Sequence, residues 1–168
     1  VREIYSYVLR DMTSPEGGFF SAEDADSEGE EGKFYVWTTE EIHSILGENN
    51  GTKFNSLLNI RQNGNFRDEA SGTESGHNIP HLKIALEKDD VEFFDQHRKI
   101  LFEIREKRIH PLKDDKILTD WNGLMIASLA KGSVALNSPE YYNSAKKGAD
   151  FILKNLRLKD GRLLKRYR

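Results

Sequence analysis

Apolar residues recur at three- and four-residue intervals through most of this chain, and the breaks in that rhythm mark its elements. Val1, Ile4, Tyr5, Val8, Leu9 and Met12 fall at helical spacing, and Ser14-Pro15-Glu16-Gly17-Gly18 stops the helix they predict. Two aromatic runs follow, Phe19-Phe20 and Phe34-Tyr35-Val36-Trp37, bracketing an acidic stretch with Gly29 and Gly32 as pivots. Aromatic and β-branched residues suit a pleated, half-buried surface, so this pattern predicts a β-hairpin with an acidic tip. Thr38 with Glu41 three residues on makes a capping box for a helix that buries Ile42, Ile45 and Leu46 and ends at Gly47. Phe54, Leu57 and Leu58 predict a short helix after it.

From Asn59 to Asp90 the periodicity fades, and Gly64, Gly72, Gly76 and Pro80 punctuate a polar segment. The spacing predicts a long helix from about Val91 to Arg108, with Phe94, His97, Leu101, Ile104 and Arg108 on one side and His97 as a hydrogen-bonded core residue. Pro111 ends it. The run from Trp121 to Leu136 is apolar on more than one face, so it predicts a helix packed on several sides, capped by Thr119 or Asp120. Ser138-Pro139 starts another, whose stripe of Tyr142, Ala145, Ala149, Ile152, Leu153 and Leu156 predicts a one-sided outer helix. After the turn at Lys159-Asp160-Gly161-Arg162, residues 163–168 read as a strand whose partner is missing. Paired helices joined by short strands and polar loops predict an all-α, α/α repeat-type fold, a single domain over residues 1–168 with a small β-hairpin insertion.

Composition narrows the function classes. Hydrophobic residues at 37%, with 13 glycines among 168 residues, bring the chain to the lower edge of the globular range of roughly 45–50%, so a folded core is expected. A net charge of −3 and a pI near 6.0 supply no basic field, which argues against nucleic acid as a partner. With no apolar run of spanning length and no export signal at the start, no membrane association and a cytoplasmic location are expected. The absence of cysteine rules out disulfides and thiol chemistry within these residues. Both ends run through predicted elements, which reads as a piece of a longer protein with uncovered apolar flanks and a tendency to self-associate.

The acidic stretch holds Glu23, Asp24, Asp26, Glu28, Glu30 and Glu31. If the backbone stays extended through Ala25, Asp24 and Asp26 project from one face, as a polar site or a cation would require. The alternative is that both accept bonds from backbone amides of a tight loop. A calcium loop of the D-x-D-x-E-G type would need a bidentate Glu six residues after Gly29, where Tyr35 stands, so no metal or other cofactor is assigned. His77 and His81 are separated by Pro80, which argues against a helical metal pair and leaves two loop histidines, one of them lining a pocket.

At G-G-F-F-S-A-E-D-A-D-S-E-G-E-E-G-K-F-Y-V-W and at R-I-H-P-L-K-D-D-K-I-L-T-D-W-N-G-L-M-I-A the chain resembles the YyaL-type proteins, related to the mammalian spermatogenesis-associated thioredoxin-domain proteins. The resemblance implies an internal portion of an α/α toroid similar to six-hairpin glycosidases and N-acylglucosamine 2-epimerases, with the family's thioredoxin-like domain absent here. It implies a domain that binds or processes carbohydrate. A scaffold without catalysis, positioning a thioredoxin-like redox domain, is the other reading. Under the first, Asp24, Asp26 and Asp115 are the candidate catalytic carboxylates. Glu23, Trp37, Arg108, Lys116, Trp121 and Asn122 are the candidate substrate-binding residues, and the partners are a small sugar, the rest of the toroid and the redox domain. Each has a plainer role: Trp121 as core, Arg108 and Lys116 as ion-pair partners of Asp114 or Asp115. The histidine pair of the epimerases has no counterpart in this sequence.

Overall fold

The computed structural model describes residues 1–66 and 76–168, so Gly72 of the polar segment lies outside the described residues. The elements run α1 (Arg2–Asp11), β1 (Ala22–Glu23), β2 (Asp26–Ser27), β3 (Glu30–Glu31), α2 (Thr39–Leu46), α3 (Glu48–Leu57), α4 (Lys88–Arg105), β4 (Lys113–Asp114), β5 (Ile117–Leu118), α5 (Thr119–Ala135), α6 (Pro139–Asn155) and β6 (Arg166–Tyr167). The chain is mostly helical, with three small antiparallel ladders among the described residues: β1 with β4, β2 with β3 and β5 with β6. It gathers into two compact units, one made of Val1–Asp24 with Lys113–Arg168 and the other of Ala25–Leu112.

In the first unit, α5 and α6 form a helical pair across a short connection, and α1 packs on them. Tyr5, Val8, Met12 and Phe19 meet Leu129, Tyr141 and Ala145, with Met125 and Ile126 against them. Tyr5 fixes the approach: its ring lies edge-on to Tyr141 at 4.7 Å and its hydroxyl donates to the Ser128 carbonyl at 2.8 Å. Gly132 makes room for it, because a Cβ there would lie 2.5 Å from the ring. Ile117, Phe151, Ile152 and Leu156 close the other end of the same unit.

Four expectations for this unit are corrected. The inward face of α6 carries Tyr141, Ala145, Gly148, Phe151 and Ile152, with Leu156 buried just past its end, while Tyr142 and Leu153 are exposed. Both rows are apolar, and the buried one is set by the small residues that let α5 approach. α5 leaves Trp121, Leu124 and Val134 exposed, and it starts at Thr119 behind Leu118 with no side-chain cap. Residues 163–168 do find a partner: Ile117 pairs with Tyr167 and Leu118 with Arg166.

In the second unit, Trp37, Ile42, Leu46, Phe54, Leu58, Ile60 and Leu101 form the core beneath α2, α3 and α4. Thr38 and Glu41 make the expected capping box, and Gly47 ends α2 at φ 78°. The hairpin is shorter than the aromatic runs suggest. Only Asp26–Ser27 and Glu30–Glu31 pair, around Glu28 and Gly29 at φ 56° and 78°, the two positive values a tight hairpin turn needs. Phe19 bridges back to Thr13 and Trp37 bridges to Asn78, because both aromatics are drawn into the core of their own unit. The long helix begins at Lys88 and ends at Arg105, so Arg108 lies beyond it. His97 is buried as expected, its Nδ1 2.7 Å from the Phe93 carbonyl.

Candidate functional site

In the first unit the candidate residues cluster along the chain from the β4–β5 turn into α5. Asn122 anchors this stretch. Its side chain, 1% exposed, accepts from Phe19 N–H at 2.8 Å and donates to the carbonyls of Phe19 at 2.9 Å and Leu118 at 2.8 Å. Trp121, read as core or as a sugar platform, is 53% exposed. Lys116 pairs with Asp114 at 2.9 Å, as its plainer reading had it, and that bond holds the Asp114 carboxyl below its usual range. Asp115 is exposed and pairs with Arg168 at 3.3 Å.

The first motif does not bring its acids together at one ladder position. Glu23 is nearly buried, accepting from the Tyr7 hydroxyl at 2.9 Å with Lys113 at 3.9 Å. Ala22 pairs with Asp114 and Glu23 with Lys113, so Asp24 and Asp115 flank opposite ends of that ladder. The chain bends at Ala25, so the extended backbone that would align Asp24 with Asp26 is not there. Both are exposed, and Asp26 stands opposite Glu31 in the β2–β3 hairpin.

In the second unit, Arg108 is an organising side chain. Its Nη1 donates to the carbonyls of Phe34 at 3.0 Å, Val36 at 2.8 Å and Lys33 at 3.3 Å, and Nη2 donates to Glu41 at 3.2 Å. The guanidinium lies 4.0 Å from the Trp37 ring centre, a cation–π contact that a half-buried site strengthens. Burial pulls Arg108 below its ordinary range, opposed by Glu41. The expected partner, Asp114 or Asp115, is therefore replaced by Glu41, and Trp37 is a core residue beneath the guanidinium, 5% exposed.

These groups border a hollow of about 430 Å³ whose lining includes Ser27, Glu28, Lys33, Phe34, Lys107 and Arg108. Lys33 donates to Glu30 at 3.0 Å with Glu28 at 3.4 Å, which raises the ammonium above its usual range. Ser27 donates its hydroxyl to the Ile109 carbonyl at 2.5 Å, tying the hairpin to the segment after α4. His77 lines the hollow, as one of the two loop histidines was expected to line a pocket. His81 is the other: Nε2 accepts from Asn59 Nδ2 at 2.9 Å and Nδ1–H donates to the Ile79 carbonyl at 2.9 Å, so its tautomer is set by its neighbours. Among the described residues no three His, Asp or Glu side chains stand where they could hold a metal ion. Glu41 and Lys107 were missed as lining residues. The capping box explained the first, and only the basic Lys107-Arg108 pair hinted at the second.

Comparison with known proteins places these features in a relationship. The chain is 30% identical to human spermatogenesis-associated protein 20, over 96% of its own length and 24% of the relative's. The resemblance is to the spermatogenesis-associated proteins. Mouse spermatogenesis-associated protein 20 is 29% identical over 91% of the chain and 23% of its own length, and an uncharacterised protein of Caenorhabditis elegans is 29% identical over 93% and 25%. The matches support the family that the two motifs suggested, and the chain spans about a quarter of the length of the curated relatives it matches. No family model matches the chain. No helix among the described residues is long and apolar enough to cross a membrane.

Proposed function

We propose that the chain is a carbohydrate-binding portion of an α/α toroid, with Trp121 as the platform on which a sugar ring stacks. The observation that carries this reading is an indole 53% exposed, directly before the buried Asn122 clamp that fixes its backbone. An aromatic ring held on a rigid element presents an apolar face without an ordering cost, the arrangement sugar C–H faces use. Asp115, Lys116 and Asp120 lie on the same stretch and supply hydroxyl partners.

The chain has two tryptophans, and Trp37 is buried, so quenching of tryptophan fluorescence by acrylamide reports chiefly on Trp121. A sugar that stacks there lowers the quenching constant at least twofold in the chain and has no such effect in Trp121→Phe. If neutral and acidic sugars at tens of millimolar all leave quenching unchanged, the platform reading fails. The scaffold reading then takes its place, favoured by the exposed apolar pair Trp121 and Leu124 on adjoining turns of α5.

A further inference from the structure

The hollow in the second unit carries three carboxylates, Glu28, Glu30 and Glu41, and three cations, Lys33, Lys107 and Arg108. Five of the six are paired internally: Lys33 with Glu28 and Glu30, and Arg108 with Glu41. Lys107 is the exception. Among the described residues its ammonium has no ion pair or hydrogen bond, although it borders a space ringed with acids. Arg108 commits Nη1 to three carbonyls and Nη2 to Glu41, while its Nε–H has no partner among the described residues. One exposed ammonium and one guanidinium N–H at this hollow are therefore open to an incoming acceptor.

We propose that this hollow binds a small monocarboxylate bearing hydroxyl or amino donors, its carboxylate on Lys107 and the Arg108 Nε–H and its donors on Glu28 and Glu30. The charge count selects the class. With three acids against three cations the lining carries no net charge, so a second ligand charge brings no net Coulomb gain, and inorganic phosphate offers at most one or two O–H donors to Glu28 and Glu30. A neutral molecule makes no ion pair with Lys107, the exposed cation at the edge of the hollow. The acids, already bridged by Lys33, keep acceptor lone pairs for N–H and O–H donors. A volume of about 430 Å³ falls within the span of small-molecule sites, roughly 300–1,000 Å³. Two sources share this chemistry, a sugar acid and an amino acid.

Calorimetric titration of the chain with glucuronate, serine, glucose and inorganic phosphate separates them. At least one of glucuronate and serine binds, with glucose and phosphate at least tenfold weaker; which of the two binds identifies the source. Lys107→Met, which keeps the aliphatic stem, weakens that binding about tenfold, while Lys131→Met, an exposed lysine of the other unit, leaves it within twofold. Circular dichroism checks that both variants are folded, and Lys107→Glu provides a second variant that abolishes binding. The proposal is overturned if neither monocarboxylate binds, if phosphate binds as tightly, or if Lys107→Met binds like the parent. Trp121→Phe leaves this titration unchanged, so its outcome is independent of the stacking platform.

Discussion

Replacing Asn122 with Ala tests how the first unit holds its polar motif. The amide satisfies three backbone groups: Phe19 N–H, Phe19 C=O and Leu118 C=O. The Leu118 carbonyl lies in a part-buried site where water can take over, but the Phe19 pair is buried. An unsatisfied buried group costs roughly 1–3 kcal/mol, so the two Phe19 groups give about 4 kcal/mol as the central expectation. Against a typical stability of about 5–15 kcal/mol this is a large fraction. For a chain of this size it corresponds to a fall in Tm of roughly 8–16 °C, in the transition of the unit that contains α5. Urea unfolding followed by circular dichroism measures the loss, and acrylamide quenching reads Trp121 as its backbone loosens. Asn122→Asp sharpens the test. It keeps the acceptor for Phe19 N–H and loses both donations, and its deficit shrinks as pH falls, because the protonated acid regains one donor. A loss below about 1 kcal/mol in Asn122→Ala would refute the clamp.

Two further outcomes follow from named contacts. Arg108→Lys keeps the charge but a single ammonium cannot reproduce the planar fork to Phe34, Val36 and Glu41; a stability loss of about 2 kcal/mol is expected in urea unfolding, with a red-shifted Trp37 emission. The Asp114 carboxyl is held low mainly by the Lys116 hydrogen bond, so its contribution is present above the unfolded carboxyl pKa and disappears as pH falls through the lower folded value. Lys116→Met raises that folded pKa toward the ordinary range, which a carboxyl-detected NMR titration reads directly.

What could be read from the sequence was what is decided within a few residues. The Thr38–Glu41 capping box, the Gly47 stop, Pro139 at the start of α6 and the core position of His97 all follow from local pattern. Ladders only two residues long show no alternation to detect, so the partnership of Ile117–Leu118 with Arg166–Tyr167 lay beyond any period-two signal. The aromatic runs had strand-like composition, yet Phe19 and Trp37 are buried by helices and loops rather than paired to each other. α6 was misread because Tyr141 and Tyr142, like Ile152 and Leu153, offer an apolar residue on either side of a narrow stripe; what decides between them is Gly148, where a Cβ would sit 3.0 Å from Phe19. The hollow joins Ser27 to Ile109, and no spacing rule announces a contact across so much chain. Glu41 and Arg108 had adequate separate explanations, which hid their meeting.

Each unit solves the problem of short strands in the same way. In the first, the Asn122 amide exchanges one accepted and one donated bond with the backbone of Phe19. In the second, Asn78, fully buried, accepts from Arg61 N–H at 2.8 Å and donates to the Arg61 carbonyl at 3.1 Å, while its own backbone pairs with Trp37. A carboxamide is the side chain that carries a donor and an acceptor in the plane and spacing of a peptide unit, so it can stand in for a ladder partner where two-residue strands supply too few bonds. A carboxylate would leave a carbonyl facing a charge, and a leucine would leave both groups bare. Each clamp also sits beside a tryptophan: Asn122 follows exposed Trp121, and Asn78 pairs with Trp37, the floor under Arg108. The buried amides therefore brace both candidate surfaces, the indole platform in one unit and the charged hollow in the other, before any ligand arrives. Binding at either should then proceed without a slow rearrangement, and weakening the clamp should lower affinity through loss of order rather than loss of contact.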